Sequence, residues 1–215
     1  NGKLRTGFDI RGLGFLLTHR AKFDPDAHII NRYFETVKAF QNIEIPKDLG
    51  FEREGGKSKV ICIHPGTGLP IKQWSVDGWA KVADHFISSN YRVVLTGTKE
   101  EEPLLREIKY KMEYPNLVQL EIMDRIVKLS IWLNVCDLFI STDTGPAHLA
   151  HLYGTPQLQI FGPSMSKRWG YENVCSVECE CLNELECKYG FDNRCITKLI
   201  PEVVIYKAEE VLNGT

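Results

Sequence analysis

No apolar run in this 215-residue sequence approaches the roughly 18 residues that a membrane helix needs, so no transmembrane segment is expected. Neither sign of charge dominates: 26 Lys and Arg face 28 Asp and Glu, for a net charge of −2. That balance gives no basic surface for nucleic acid or for a polybasic membrane contact. The first residues, Asn1-Gly2-Lys3-Leu4-Arg5, lack both Met and the apolar stretch of a signal peptide. The expectation is a chain that begins inside a longer protein, with one domain plus part of another at about 150 residues per domain. Several chemistries lack their motif as well. There is no Walker A loop, no Gly-x-Ser-x-Gly elbow and no His-Glu-x-x-His, and Gly66-Thr67-Gly68 lacks the third glycine of a dinucleotide fingerprint.

What is present is an ordinary globular composition, 43% hydrophobic and 25% charged, with seven cysteines. Cys62 and Cys136 sit in apolar stretches and read as small buried hydrophobes. Cys175, Cys179, Cys181, Cys187 and Cys195 crowd into one stretch that reads as a cysteine-rich loop. An odd total without a secretory signal argues against an exported disulfide framework. Four of these thiols could hold a structural zinc, form local disulfides on oxidation, or stay free; the spacing is not that of a paired Cys-x-x-Cys ribbon.

Residues 1–25 show no clear periodicity, whereas apolar residues recur at helical spacing over 26–42. The polar, Gly-containing stretch 47–59 reads as a linker, which divides the chain into 1–52 and 53–215. From residue 60 a regular rhythm begins. Strands are expected at 59–64, 91–95, 117–120, 138–141 and 157–161, with helices at 76–89, 100–112, 126–136, 146–153 and 201–212. Such alternation predicts an α/β fold with a doubly wound parallel sheet.

Ligands of such sheets bind beyond the carboxyl ends of the strands. Four loops containing glycine lie there: 65–68, 96–98, 143–146 and 161–163. In the segment Ser141-Thr142-Asp143-Thr144-Gly145-Pro146-Ala147-His148, Pro146 suits the first helical position, with Thr144 or Gly145 as the cap. The exposed amides and partial positive charge of a helix N-terminus suit a diphosphate. Asp143 has two readings, as complement to the helix dipole or as acceptor from sugar hydroxyls. His148 either reaches the same anion or packs structurally. Lys72 either neutralises a departing diphosphate or is solvated surface, and neighbouring Trp74 reads as a core anchor that would hold it.

The ordered blocks His64-Pro65-Gly66-Thr67, Lys72-Gln73-Trp74, Leu95-Thr96-Gly97 with Glu100-Glu101, Ser141 through Ala150, and Phe161-Gly162-Pro163 resemble glycosyltransferase family 9, the ADP-heptose:lipopolysaccharide heptosyltransferases and their relatives. The segment Arg5-Thr6-Gly7-Phe8-Asp9, followed by Thr18-His19, is similar to the end of that family's N-terminal domain.

The resemblance implies a GT-B enzyme: two Rossmann-like domains facing a cleft, with the nucleotide sugar on the C-terminal one. It makes residues 53–215 the nucleotide-sugar-binding domain and residues 1–52 the remainder of the acceptor domain plus a linker. Carried over, it assigns Lys72 and Asp143 to catalysis. It places Gly66, Thr67, Thr144, Gly145 and His148 at the donor, and a glutamate, Glu101 or in the other register Glu100, at the nucleoside. The implied reaction is inverting transfer of a sugar, heptose from ADP-heptose, to a lipopolysaccharide core or related glycan, with no obligatory metal or further cofactor. The substrates imply a cytoplasmic protein, peripheral at the inner membrane. The family's general base lies near the start of the N-terminal domain, so this chain alone is expected to bind donor weakly and transfer little or no sugar. Other functions compatible with these residues are a noncatalytic nucleotide-binding module and a GT-B-like sugar-nucleotide epimerase.

Overall fold

The structure, a computed structural model, describes residues 4–10, 12, 14–41, 53, 58–162, 164, 166–171, 174–178 and 194–214. Most of the linker expected over 47–59 lies outside them, as do Pro163, Cys179, Cys181 and Cys187; of Cys195 only the backbone is described. The chain divides into two compact units, Asn1–Leu49 with Lys167–Trp169, and Gly50–Ser166 with Gly170–Thr215.

In the first unit, strand β1 (Thr6–Phe8) pairs in parallel with β2 (His19–Ala21), and α1 (Ile29–Lys38) follows. At three residues each, these strands are too short to show a period, which is why the sequence pattern of 1–25 hides them. The Thr18 hydroxyl ties them together, accepting from the Arg5 amide at 2.8 Å and donating to its carbonyl at 2.9 Å. α1 is shorter than the expected 26–42 because His28 Nδ1 caps it, accepting from the Ile30 amide at 3.3 Å.

The second unit is a six-stranded parallel sheet. Its strands are β3 (Val60–His64), β4 (Arg92–Thr98), β5 (Gln119–Met123), β6 (Leu138–Thr142), β7 (Gln157–Phe161) and β8 (Cys175–Glu178). They lie in the order β5-β4-β3-β6-β7-β8, so the chain winds outward from β3 in both directions, the doubly wound pattern that the alternation predicts. The helices of this unit are α2 (Val76–Ser88), α3 (Glu102–Lys111), α4 (Ile126–Val135), α5 (Gly145–Leu152), α7 (Arg194–Thr197) and α8 (Pro201–Asn213), while the short α6 (Ser166–Trp169) falls, but for Ser166, in the first unit. α2 shows why they form. The Ser75 hydroxyl caps its start, accepting from the Gly78 amide at 3.1 Å, and Trp79, Val82, Ala83 and Phe86 fall on one buried face.

Three details depart from the expected boundaries. β5 begins two residues late because Leu117 closes a turn, its amide donating to the Tyr114 carbonyl at 3.0 Å, and lies 64% exposed. Thr96-Gly97-Thr98 is not a loop but the end of β4, paired with Glu121, Ile122 and Met123. Cys175 is not in a loop either: it opens β8, opposite Leu158. Its thiol is free and half-buried, and burial pushes its pKa up. Cys62 and Cys136 are fully buried, as expected.

The two faces of the sheet differ. Ile61, Ile63, Val93, Leu95, Leu138, Ile140, Leu158 and Ile160 point to the side covered by α2, α3 and α8. The other side carries Val60, Cys62, Val94 and Phe139 under α4 and α5. Strand alternation continues that second side, toward the carboxyl ends, into the buried polar residues His64, Thr96, Ser141 and Gln159, with Gln157 at the start of β7 opposite Phe139.

Candidate functional site

β3 lies between β4 and β6, so the loops leaving β3 and β6 flank the point where the winding reverses. A crevice there is the general ligand position of such sheets. After β3 the chain runs through Gly66, Thr67 and Gly68 into a 3-10 turn, Pro70–Lys72. Gln73 stitches this loop, its Nε2 donating to the Pro65 carbonyl at 3.2 Å. Trp74 anchors it, 1% exposed, edge-on to Trp79 at 4.9 Å and donating from Nε1 to the Leu199 carbonyl at 3.0 Å.

The anchored turn aims Lys72 across the switch point. Its Nζ meets Asp143 Oδ2 at 2.6 Å, with side-chain exposures of 19% and 4%. Lys72 is therefore not solvated surface. A carboxylate so buried needs a charged partner, and removing either member strands the other. The pair sets a fixed cation beside a fixed anion where β6 gives way to α5.

Glu101 stands on the other side of the same loop, immediately before α3. Its Oε2 accepts from the Thr98 amide at 2.8 Å and lies 3.9 Å from His64 Nε2. A Cβ built on Gly66 would overlap this carboxylate. Gly66 is thus a place where an acidic side chain approaches the backbone, a role that its loop position alone does not announce. His64, 6% exposed, hydrogen-bonds Thr96 Oγ1 through Nδ1 at 3.2 Å. Burial lowers its pKa, partly opposed by Glu101, and so favours the neutral ring. Glu100 is fully exposed, so of the two glutamate registers only Glu101 meets the loop.

α5 begins at the third flank. Thr144 is its cap residue in extended conformation, Gly145 is the first helical residue, and Pro146 stands one place later than expected. Thr144 Oγ1 reaches the Thr142 carbonyl at 3.4 Å, and Thr142 Oγ1 reaches the Gly66 carbonyl at 3.5 Å. Gly145 is exposed, with open space where a Cβ would stand. His148, one turn in, is half-buried, and its Nδ1 lies 2.7 Å from Tyr171 Oη.

The structure therefore brings Gly66, Lys72, Glu101, Asp143, Thr144, Gly145 and His148 to one edge of the sheet. Thr67 is on the same loop, half-exposed, its hydroxyl 3.4 Å from the Leu69 amide. The arrangement offers an anion two attractions, a helix N-terminus and a lysine. It also offers carboxylate acceptors for hydroxyls at Asp143 and Glu101. Sequence reasoning passed over Tyr171 and His64 as site residues. His64 opens a quoted motif and could have been singled out; a single tyrosine after a short helix carries no pattern.

Residues 2–200 match glycosyltransferase family 9 (heptosyltransferase). The chain is 28% identical over 195 residues to lipooligosaccharide heptosyltransferase 2 of Campylobacter jejuni serotype O:2, covering 84% of this chain and 60% of the relative. It is 27% identical over 164 residues to lipopolysaccharide heptosyltransferase 3 of Escherichia coli K12, covering 74% of this chain and 48% of the relative. Among solved structures, E. coli ADP-heptose lps heptosyltransferase II superposes with a TM-score of 0.75 at 17% identity, over 99% of this chain and 70% of that one. E. coli heptosyltransferase WaaC with ADP gives 0.65 at 16%, over 92% and 61%. The chain thus spans between about half and 60% of the length of these two curated relatives. With the family matched over nearly its whole length and the parallel sheet in place, the chain belongs to glycosyltransferase family 9.

Proposed function

We propose that this chain is the nucleotide-sugar-binding part of a glycosyltransferase that moves heptose from ADP-heptose to a lipopolysaccharide core or related glycan. The observation that carries the reading is the Lys72–Asp143 pair at the N-terminus of α5. In the proposed complex the diphosphate lies against the amides of Thr144 and Gly145, and Lys72 neutralises the charge that grows on it as the glycosidic bond breaks. Asp143 accepts from hydroxyls of the transferred sugar, Thr67 and His148 line the phosphates, and Glu101 receives the ribose. Residues 1–52 are proposed as the end of an acceptor domain, with the general base supplied from outside these 215 residues. Two comparisons support the donor: curated relatives are named heptosyltransferases, and solved neighbours were determined with ADP and with ADP-2-deoxy-2-fluoro heptose. No helix among the described residues is long and apolar enough to cross a membrane. A cytoplasmic site, peripheral at the inner membrane, is proposed from the substrates.

Calorimetric titration with ADP, UDP and GDP tests the reading. Selective binding of ADP is expected and should be lost in Lys72→Ala. Equal binding of all three would remove the ADP assignment, and binding of none would favour a noncatalytic module.

A further inference from the structure

His148 and His151 lie three residues apart on α5 and so share a face of that helix. Tyr171 touches both. Its ring stacks on His151, centroids 3.5 Å apart and planes 9° from parallel, while its hydroxyl meets His148 Nδ1 at 2.7 Å. The two rings of the hydrogen-bonded pair stand edge to face, centroids 5.7 Å apart and planes at 83°. Tyr171 comes from the segment after β7 and α6, so the clamp joins α5 to a segment distant in sequence.

Resting on the nucleotide reading above, we propose that Tyr171 is a positioning residue of the diphosphate site. Its hydroxyl donates to Nδ1 of His148 and so holds the imidazole in the tautomer that carries its proton on Nε2. A neutral imidazole presents one N–H and one lone pair, and the partner of one nitrogen decides which the other offers. With Nδ1 committed as acceptor, Nε2 offers an N–H, the attractive choice toward a phosphate oxygen. The opposite tautomer would offer a lone pair and repel it. Tyr171 keeps its proton throughout the neutral range, because burial and then the Asp143 charge push its pKa to about 12. It is therefore able to act as a donor wherever the protein works. Stacking on His151 fixes where the hydroxyl stands, so the residue has separable parts: a ring that packs and an oxygen that sets a tautomer.

Tyr171→Phe keeps the ring and removes the oxygen. Long-range proton–nitrogen correlation of the 215-residue chain, with the His148 ring identified by its loss in His148→Asn, should show the Nε2–H tautomer in the parent. Tyr171→Phe should show a mixture. Calorimetry should show ADP binding about fivefold weaker in Tyr171→Phe, the scale of one hydrogen bond, with adenosine binding unchanged. A merely structural tyrosine would weaken both ligands alike or neither, and that result overturns the proposal. So does an Nδ1–H tautomer in the parent, which would mean that Tyr171 accepts. If the parent binds ADP and Tyr171→Phe changes nothing, only this assignment falls. If the parent binds neither ligand, the nucleotide reading falls and takes the assignment with it.

Discussion

The side of the sheet under α2, α3 and α8 and the side under α4 and α5 come from the same strands, residue by residue in alternation, yet they are filled differently. The first is apolar over most of its length, from Ile61 and Val93 through Ile63, Leu95 and Ile160 to Trp74 and Trp79, and turns polar at Thr142, the last residue of β6. The second is mixed: Val60, Cys62, Val94 and Phe139 line its amino-proximal part beside Gln157, and toward the carboxyl edge His64, Thr96, Ser141 and Gln159 stand among Met123 and Phe161, near the loops that carry Lys72, Glu101 and Asp143. Some of that polarity is not internally satisfied: the Ser141 hydroxyl and Gln159 Oε1, opposite each other in register, have no hydrogen-bond partner within the described residues. Nonpolar contact is thus concentrated on the face remote from the site, and polar side chains support the face that meets ligand. One side stabilises the fold; the other gives up packing for chemistry.

That contrast can be broken in graded steps. The largest effect is expected on the apolar side: Phe86→Ala, at 1% exposure on α2, should lower unfolding free energy by about 3–5 kcal/mol in urea titration. A cost under about 1 kcal/mol would mean that this face is not the scaffold. Next, Lys72→Met leaves the buried Asp143 carboxylate without its lysine and should cost about 3 kcal/mol, the low end for a pair whose cation is partly exposed, while Lys72→Met with Asp143→Leu should recover most of that stability and still bind no ADP. Stability and function would then have been separated at one contact.

Gly66→Ala should spare stability, because the overlapping carboxylate ends a flexible side chain, but should weaken ADP binding about tenfold, roughly 1.4 kcal/mol, as Glu101 swings away. Unchanged affinity would detach Glu101 from the nucleoside. His64 gives a pH signature. Its folded-state pKa is depressed below the ordinary 6.5, so the unfolded chain binds the proton more readily. Stability from this group is complete above about pH 6.5 and is lost as pH falls toward the folded value. His64→Gln should flatten that acid-side loss in urea midpoints measured between pH 5 and 7.5. The smallest effect is expected from Ser141→Ala, under about 1 kcal/mol, because the hydroxyl removed has no partner to strand.

How much of this was legible beforehand follows from the range of the interactions. β3, β6, β7, α2 and α8 carry strong local periods and fall within about two residues of expectation, because burial on one or both faces writes itself into neighbouring residues. β8 escaped because Cys175-Ser176-Val177-Glu178 reads as polar and becomes a strand only by pairing with β7. The four loops could be assigned to one edge from parallel topology alone. That Lys72 and Asp143 touch could not, since the contact spans 71 residues and depends on a turn anchored by Trp74. The tyrosine clamp was invisible for the same reason: the hydroxyl's meaning lies in a histidine 23 residues away.

The switch-point crossover has a kinetic consequence. β3 and β6 are neighbours in space, but the Val60–Asp137 contact at their start closes a loop of 77 residues, and no β-hairpin joins any two strands of this sheet. Loop-closure entropy must be met before such ladders return any energy, so the chain is expected to fold slowly for its size. Lys72 and Asp143 come together only when that central ladder has closed. Nucleotide binding during refolding would therefore report the arrival of native topology rather than of secondary structure, and the site would serve as the chain's own folding clock.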